Sequence, residues 1–483
     1  MKKILFLTTL TICLSVATAQ QKMDNIPESV NIEIAAKLAV YGNKLAELRT
    51  WMQKRNGEQA KTTAYNHVLF RWPMRANSNY DDIPNYDVVS NYMDINRDNN
   101  YAPDDWYCSS NATISYDGHE GNDYSLYPFF WRMKENDNVF ACAGADGVVV
   151  GVRDSTTNDN NCMRDSLENN SANYIAILHA DSSMSRYLHI KTGSARVKEG
   201  QFVKEGQLLA KIASSGHSSN PHLHFDLRYF RDTDGSWNFV EPFDKYWSDT
   251  TYGSGCNPFT NTSWWKNQRT YIDPRLNRVM THSGSPVLAG WVNQTLNSQP
   301  CPESEDAKAK NQFAPDEYVT IGAALTHANY RDSVHITILY PNGGVWVSFP
   351  MPVPNNGYAF YSAIYLTRLY HLPAAAPEGT YTIIADYFYR PFYQSSPFSP
   401  QTTLVSKTYR HYFTVGCPAT RSLAGSSSGD QGYIVSNDLN SSVQISAGTV
   451  LYQSANYIQL TPGFVAQQGA LLKARIRDCN FSD

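Results

Sequence analysis

Two imidazoles stand two residues apart in Asn220-Pro221-His222-Leu223-His224-Phe225-Asp226-Leu227-Arg228, where polar and apolar residues alternate from His222 onward. That alternation is the period of a half-buried strand, on which residues two apart share a face. His222 and His224 therefore project into one space while Leu223 and Phe225 turn to the interior. Such a face can hold a metal ion; two structural histidines carry the same pattern, so the pair alone leaves both readings open. Upstream, Asp117-Gly118-His119-Glu120-Gly121-Asn122-Asp123 sets a His and an Asp four residues apart, in a segment whose glycines oppose a helix and favour a tight loop. Imidazole and carboxylate are zinc ligands besides thiolate, and a catalytic zinc keeps three protein ligands and leaves a fourth position to water. Between these sites Ser185-Arg186-Tyr187-Leu188-His189-Ile190-Lys191 reads as another strand with a further His.

Four motifs in this order, His-x-Gly-x-Asp, Tyr-Leu-His, Gly-x-x-Val-x-x-Gly-Gln and Pro-His-Leu-His-Phe, resemble the lysostaphin-like zinc peptidases of the M23 family over roughly residues 66 to 275. The resemblance implies an antiparallel β peptidase domain, Zn²⁺ as cofactor, His119, Asp123 and His224 as metal ligands, and His189 and His222 as catalytic histidines beside the metal. Which of the two is the base stays open. Non-catalytic relatives have typically lost ligands, whereas all five positions are kept here. The substrate it implies is a peptide cross-link of bacterial peptidoglycan. A secreted protease for ordinary proteins and a non-catalytic, zinc-bearing module that binds or regulates at the cell wall are the alternatives. The family often has a glycine where Asn220 stands, a change expected to alter the rim of the site. Glu120 does not complete a His-Glu-x-x-His helix, because Asp stands at 123, and is expected at the surface.

These residues need rigid strands, and the composition supplies them. The 32 tyrosines suit β-rich domains, and 483 residues are too many for one core. A net charge of -4 and a pI near 6.3 give no support for a nucleic-acid partner. No segment after the N-terminus is apolar for long enough to span a bilayer. Lys2 and Lys3, the apolar run Ile4 to Val16 and Ala17-Thr18-Ala19 read as a bacterial signal peptide ending at residue 19, and place the chain outside the cytoplasm: secreted, periplasmic or at the cell surface. Disulfides persist there. Proximity pairs Cys142 with Cys162, Cys256 with Cys301 and Cys417 with Cys479, leaving one of seven mature cysteines free.

The mainly β chain then divides as follows. Residues 20–65 form an N-terminal helical segment, with Ile34, Leu38, Tyr41, Leu45, Leu48 and Met52 on one face, docked on the next domain or acting as a prosegment. Residues 66–300 are the peptidase domain with a Trp-rich C-terminal extension. Its stretch 77–105 is expected as a long polar loop, and 197–209 as an antiparallel hairpin turned by glycines. His179 receives no role. Residues 301–417 alternate as an immunoglobulin-like sandwich. Residues 418–483 are a Gly/Ser linker, Leu423 to Gly432, and a small β module of stacked strands, a candidate for attachment to the cell surface.

Overall fold

The computed structural model describes residues 42–51, 67–77, 85–95, 105–106, 114–116, 118–156, 158–162, 172–231, 236–243, 263–288, 301–355, 360–393, 396–400, 404–428 and 431–479. The chain is mostly β and falls into two compact units. One holds Met1–Tyr80, Val89–Ser125 and Met133–Arg269; the other holds Asp81–Val88, Leu126–Arg132 and Thr270–Asp483. The expected signal peptide and most of the expected N-terminal helical segment lie outside the described residues.

The first unit is built on strands β1 (Met74–Ala76), β2 (Asp87–Asn91), β3 (Asn122–Leu126), β4 (Val139–Cys142), β5 (Gly147–Arg153), β6 (Tyr174–Leu178), β7 (Ser183–Leu188), β8 (Phe202–Val203), β9 (Leu208–Lys211), β10 (His222–Arg231) and β11 (Ser236–Val240). The large sheet runs β2-β3-β10-β7-β6-β5-β8, with β11 extending β10; a second sheet runs β1-β4-β9. On β10, Leu223, Phe225 and Leu227 are buried on the core side, as the alternation requires. Phe225 packs on Phe70, Tyr187 and Trp265.

Helix 42–51 is docked on this unit: Leu48 is fully buried with Val148 and Leu178, Trp51 stacks on Phe202, and Arg49 donates to the Ala180 carbonyl. Burying Leu48 alone contributes about 1.5–3 kcal/mol.

Three expectations change. The stretch expected as a long loop contains β2, because Val88 and Val89 find the edge of the sheet. The 197–209 hairpin does not form. Its glycine turns are present, with positive φ at Gly200 and Gly206, but β8 pairs with β5 and β9 with β4. Cys142 is free and buried, while Cys162 is disulfide-bonded elsewhere, so the pairing of those two is wrong. Nearness in sequence does not bring the sulfurs together.

The second unit is a sandwich followed by a solenoid. Strands β12 (Arg275–His282), β13 (Gln312–Phe313), β14 (Tyr318–Ala328), β15 (Ser333–Leu339), β16 (Val345–Pro352), β17 (Tyr361–His371), β18 (Gly379–Tyr389) and β21 (Val405–Val415) form two sheets, β12-β14-β17 and β13-β21-β18-β15-β16; β19 (Phe392–Tyr393) and β20 (Ser396–Pro400) pair separately. Leu276, Ile321 and Leu325 from one sheet meet Ile336, Ile383 and Phe413 from the other in a single core, an arrangement compatible with an immunoglobulin-like sandwich. The unit boundary falls at Thr270 rather than at 301, since β12 is wholly buried against β14.

The tail winds nine short strands into three coils: β22 (Thr420–Leu423), β23 (Ser426–Ser428) and β24 (Gln431–Val435); β25 (Asp438–Ser441), β26 (Gln444–Ala447) and β27 (Thr449–Ser454); β28 (Tyr457–Leu460), β29 (Val465–Ala466) and β30 (Leu471–Ile476). Each strand pairs in parallel with its counterpart one coil on. The Gly/Ser stretch expected as a linker is therefore part of the first coil. Small residues fit its interior: Ser427 is buried and donates to Gln431. The Cys417–Cys479 disulfide is present as expected.

Candidate metal centre

Register assembles the site. His224 lies opposite Asp123 of β3 on one side and opposite Leu188 of β7 on the other. Directly opposed residues on paired strands face each other closely, and His189 follows Leu188. His189 is held with a left-handed backbone, φ 64°, a conformation that costs a non-glycine residue about 1–3 kcal/mol and persists only where its surroundings impose it. Here the Ala213 amide donates to its carbonyl, and its Nδ1 donates to the Ser215 carbonyl at 2.6 Å.

The five residues singled out in the sequence converge. His119 Nε2, His224 Nδ1 and Asp123 Oδ1 stand 2.9–3.2 Å from one another. His222 Nε2 is 3.4 Å from Asp123 Oδ1, and the His189 and His222 rings lie 4.4 Å apart. All five are at least nine-tenths buried.

The tautomers are set by partners that the sequence does not display. His119 Nδ1 donates to the Tyr92 carbonyl at 2.7 Å, which leaves Nε2 as a lone pair facing the cluster. His222 Nδ1 donates to the Asn220 carbonyl at 2.7 Å, so its Nε2 also faces inward. His224 is turned the other way, with Nδ1 in the cluster and Nε2 3.7 Å from Asp226. Asp226 is buried and clamped: Arg186 Nε reaches both its oxygens at 2.9–3.0 Å, and Arg228 Nε donates at 2.8 Å. The second Asp123 oxygen accepts from Asn91 Nδ2 at 3.1 Å.

Asn220 is not at the rim. It is buried, its side chain donates to Ser125 on β3, and its carbonyl fixes His222. Glu120 is half-exposed and 3.6 Å from Arg228, and His179 is a buried structural residue hydrogen-bonded to Asp146 and Ser185. Tyr116, exposed and stacked on His119, was not singled out in the sequence; nor were Asn91, Tyr92 and Asp226. The only signal for Asp226 was its place two residues beyond His224 on the same strand face.

Electrostatics follow from crowding donors in a buried space. Burial works against the Asp123 carboxylate, but His119 and His222 outweigh it and hold the group well below the usual carboxylate range. Burial would lower His119, yet the Asp123 carboxylate raises it. Burial, reinforced by His222 and His224, holds His189 well below an ordinary histidine. The Asp226 carboxylate resists burial because Arg186 and Arg228 keep it low.

His119, Asp123 and His224 offer one ligand atom each, all within 4.8 Å of one another, and are the group among the described residues that could hold a metal ion. Residues 128–237 match the model of Peptidase family M23. The chain carries an M23 peptidase domain. His189, His222 and His224 fall inside the matched span; His119 and Asp123 precede it.

The M23 domain is similar to the peptidoglycan DD-endopeptidases ShyA and ShyC of Vibrio cholerae serotype O1. Identity to ShyA is 40% over 55 residues, 11% of this chain and 12% of the relative. Identity to ShyC is 31% over 107 residues, 22% and 23% of the two chains. The chain thus spans less than a quarter of the length of these curated relatives. Among solved structures, the catalytic domain of the prophage-encoded M23 protein EnpA from Enterococcus faecalis is 24% identical, covering 32% of this chain and 88% of that one with a TM-score of 0.21. The catalytic domain of lysostaphin from Staphylococcus simulans is 18% identical, covering 35% and 96% with a TM-score of 0.19.

Proposed function

We propose that the protein is an exported zinc-dependent endopeptidase that cuts peptide bonds in peptidoglycan cross-links. The observation that carries this reading is the convergence of His119 Nε2, Asp123 Oδ1 and His224 Nδ1 beside two further imidazoles that present Nε2 to the same space. Two neutral nitrogens and one carboxylate oxygen suit zinc, and their orientations are fixed from behind by Tyr92, Asn91 and Asp226. Zinc held there would supply Lewis acidity, making water acidic enough to lose its proton near neutral pH and polarising a peptide carbonyl.

The remaining work belongs to the protein. With Nδ1–H tied to backbone carbonyls, His189 and His222 each keep a lone pair at Nε2. One can take the proton from water, and a protonated one can hand it to the leaving amine or donate to the oxyanion. The substrate reading is supported by the relatives named peptidoglycan DD-endopeptidases. The Cys417–Cys479 disulfide fits an exported chain.

Incubating the purified chain with peptidoglycan and cross-linked muropeptides, with and without a chelator, tests the proposal. Chelator-sensitive loss of cross-links is expected. Persistent cross-links with the zinc-loaded chain would sink the substrate, and cleavage indifferent to chelator would sink the metal.

A further inference from the structure

Behind His222 runs a chain of buried hydroxyls that the mechanism above does not use. His222 Nδ1 is 2.7 Å from the Asn220 carbonyl and 3.3 Å from Ser218 Oγ. Ser218 Oγ is 2.7 Å from Ser214 Oγ, which in turn donates to the Asn161 carbonyl at 2.6 Å. Ser214 is fully buried, and Asn161, Ser218 and Asn220 are no more than 5% exposed, so bulk water does not compete for these bonds.

The supply of protons fixes the direction of the chain. A carbonyl only accepts, and a serine has one hydroxyl proton to give. The proton of Ser214 goes to the Asn161 carbonyl, so the short contact between the two hydroxyls is bridged by the proton of Ser218. Were Ser218 to donate instead to the Asn220 carbonyl, 3.1 Å away, two oxygens would face each other at 2.7 Å with no proton between them. Ser218 therefore turns a lone pair to His222, and the Nδ1–H is shared between a carbonyl and a hydroxyl that lie in different directions. One hydrogen bond leaves an imidazole free to rock about its axis; a second acceptor off that axis fixes the ring. Both acceptors require a proton at Nδ1, which leaves the lone pair on Nε2.

The far end of the chain is firmly held. The Ser214 amide donates to the Asp159 carbonyl at 3.0 Å, the Asn161 amide to the Ser214 carbonyl at 2.9 Å, and Asn161 Nδ2 to the Gly216 carbonyl at 2.6 Å. Asp159 is itself tied to Lys134 and to the Thr192 amide, and Cys162 is disulfide-bonded. The neighbouring Ser215 serves the other imidazole: its carbonyl accepts from His189 Nδ1, and its hydroxyl donates to the Ile190 carbonyl. We infer that Ser218 is a positioning residue: through Ser214 it passes the rigidity of segment 158–162 to the His222 imidazole and aims Nε2 into the metal centre. The effect on rate rests on the hydrolase reading; the geometry of the chain does not.

Two readouts test this. Nitrogen NMR of histidine-labelled protein reports on His222 without any substrate. Ser218→Ala is expected to shift and broaden the His222 ring signals, while Ser218→Thr, which keeps the hydroxyl, should retain those of the wild type. On cross-linked muropeptides, Ser218→Ala should lower kcat by up to about a hundredfold at unchanged KM and zinc stoichiometry, with Ser218→Thr restoring it. Ser214→Ala, one link removed from His222, should lower kcat as well. An unmoved His222 spectrum in Ser218→Ala overturns the proposal, and so does a wild-type kcat. An inactive wild type counts against the hydrolase reading instead, and the spectrum alone then decides this inference. Should the variants fail to fold, neutron diffraction from wild-type crystals decides: the Ser218 deuteron must lie on the Ser214 side, and one aimed at the Asn220 carbonyl or at His222 overturns the assignment.

Discussion

Gly121 packs directly against His224: a Cβ built on Gly121 would stand 2.7 Å from His224 Nε2, 2.7 Å from the Phe225 carbonyl and 2.9 Å from the Asp226 Cβ. The loop that carries His119 can approach β10 only because this residue has no side chain. In Gly121→Ala the new methyl must push His224 or the β10 backbone aside, an overpacking that costs about 1–3 kcal/mol. Zinc affinity, read by competition with a chromophoric chelator, is expected to fall together with the thermal midpoint. An alanine variant that binds zinc like the wild type would show that the loop yields without disturbing His224.

Asp226 is expected to act on the metal through His224. Its carboxylate faces His224 Nε2 while Arg186 and Arg228 hold it in place. Partners of this kind fix the orientation and basicity of a ligating imidazole, and their loss typically weakens metal binding about 10–100-fold. Asp226→Asn should reproduce that loss, with turnover recovering when zinc is supplied in excess. Lost turnover at unchanged affinity would move Asp226 out of this role.

His222 should separate chemistry from metal binding. In His222→Ala, zinc stoichiometry is expected to stay at the wild-type value while kcat falls about 10²–10⁴-fold, the usual worth of positioned acid–base catalysis. Asn220→Ala keeps the carbonyl that His222 Nδ1 bonds but removes the anchor to Ser125. A displacement of His222 by about 1 Å costs up to about a hundredfold in rate. Equal rates for wild type and Asn220→Ala would mean that the backbone alone holds the imidazole.

What the sequence discloses is what a local period or motif encodes. Leu223, Phe225 and Leu227 alternate with His222, His224 and Asp226, so the strand and its two faces can be read before any partner is known. The residues that fix the site from behind have no such mark. Tyr92 acts through its carbonyl, Asn91 through the position of β2, and Arg186 through the register of β7 on β10, all products of pairing between distant segments. The same limit separates the glycine turns at Gly200 and Gly206, which are local and present, from the hairpin expected around them. β8 and β9 each found a partner far away in the chain. In the tail, stacking was legible from the repeated glycine-bounded strands. The first coil was not, because its serines have the composition of a linker and become structural only once Gln431 receives them.

In the sandwich, two buried groups are expected to oppose each other in the pH dependence of stability. His282 donates from Nδ1 to the Ala307 carbonyl and accepts at Nε2 from Tyr365, so it must be neutral; burial, aided by Arg278 and Arg132, lowers its pKa to about 4. Between that value and an ordinary histidine's, near 6.5, the unfolded chain binds the extra proton, and stability rises with pH by up to about 3 kcal/mol. Asp332 has the opposite sign. Burial raises its carboxyl to about 6 despite hydrogen bonds from Asn329, Arg390 and Tyr387. From about 4 to about 6 it is the folded chain that binds the extra proton, so stability falls with rising pH by a similar amount. The two slopes nearly cancel in the wild type. Urea unfolding at pH 4.5 and 6 should therefore show stability rising with pH in Asp332→Asn and falling in His282→Gln, each relative to the wild type. Parallel pH profiles in all three proteins would mean that neither group changes protonation on unfolding in this range.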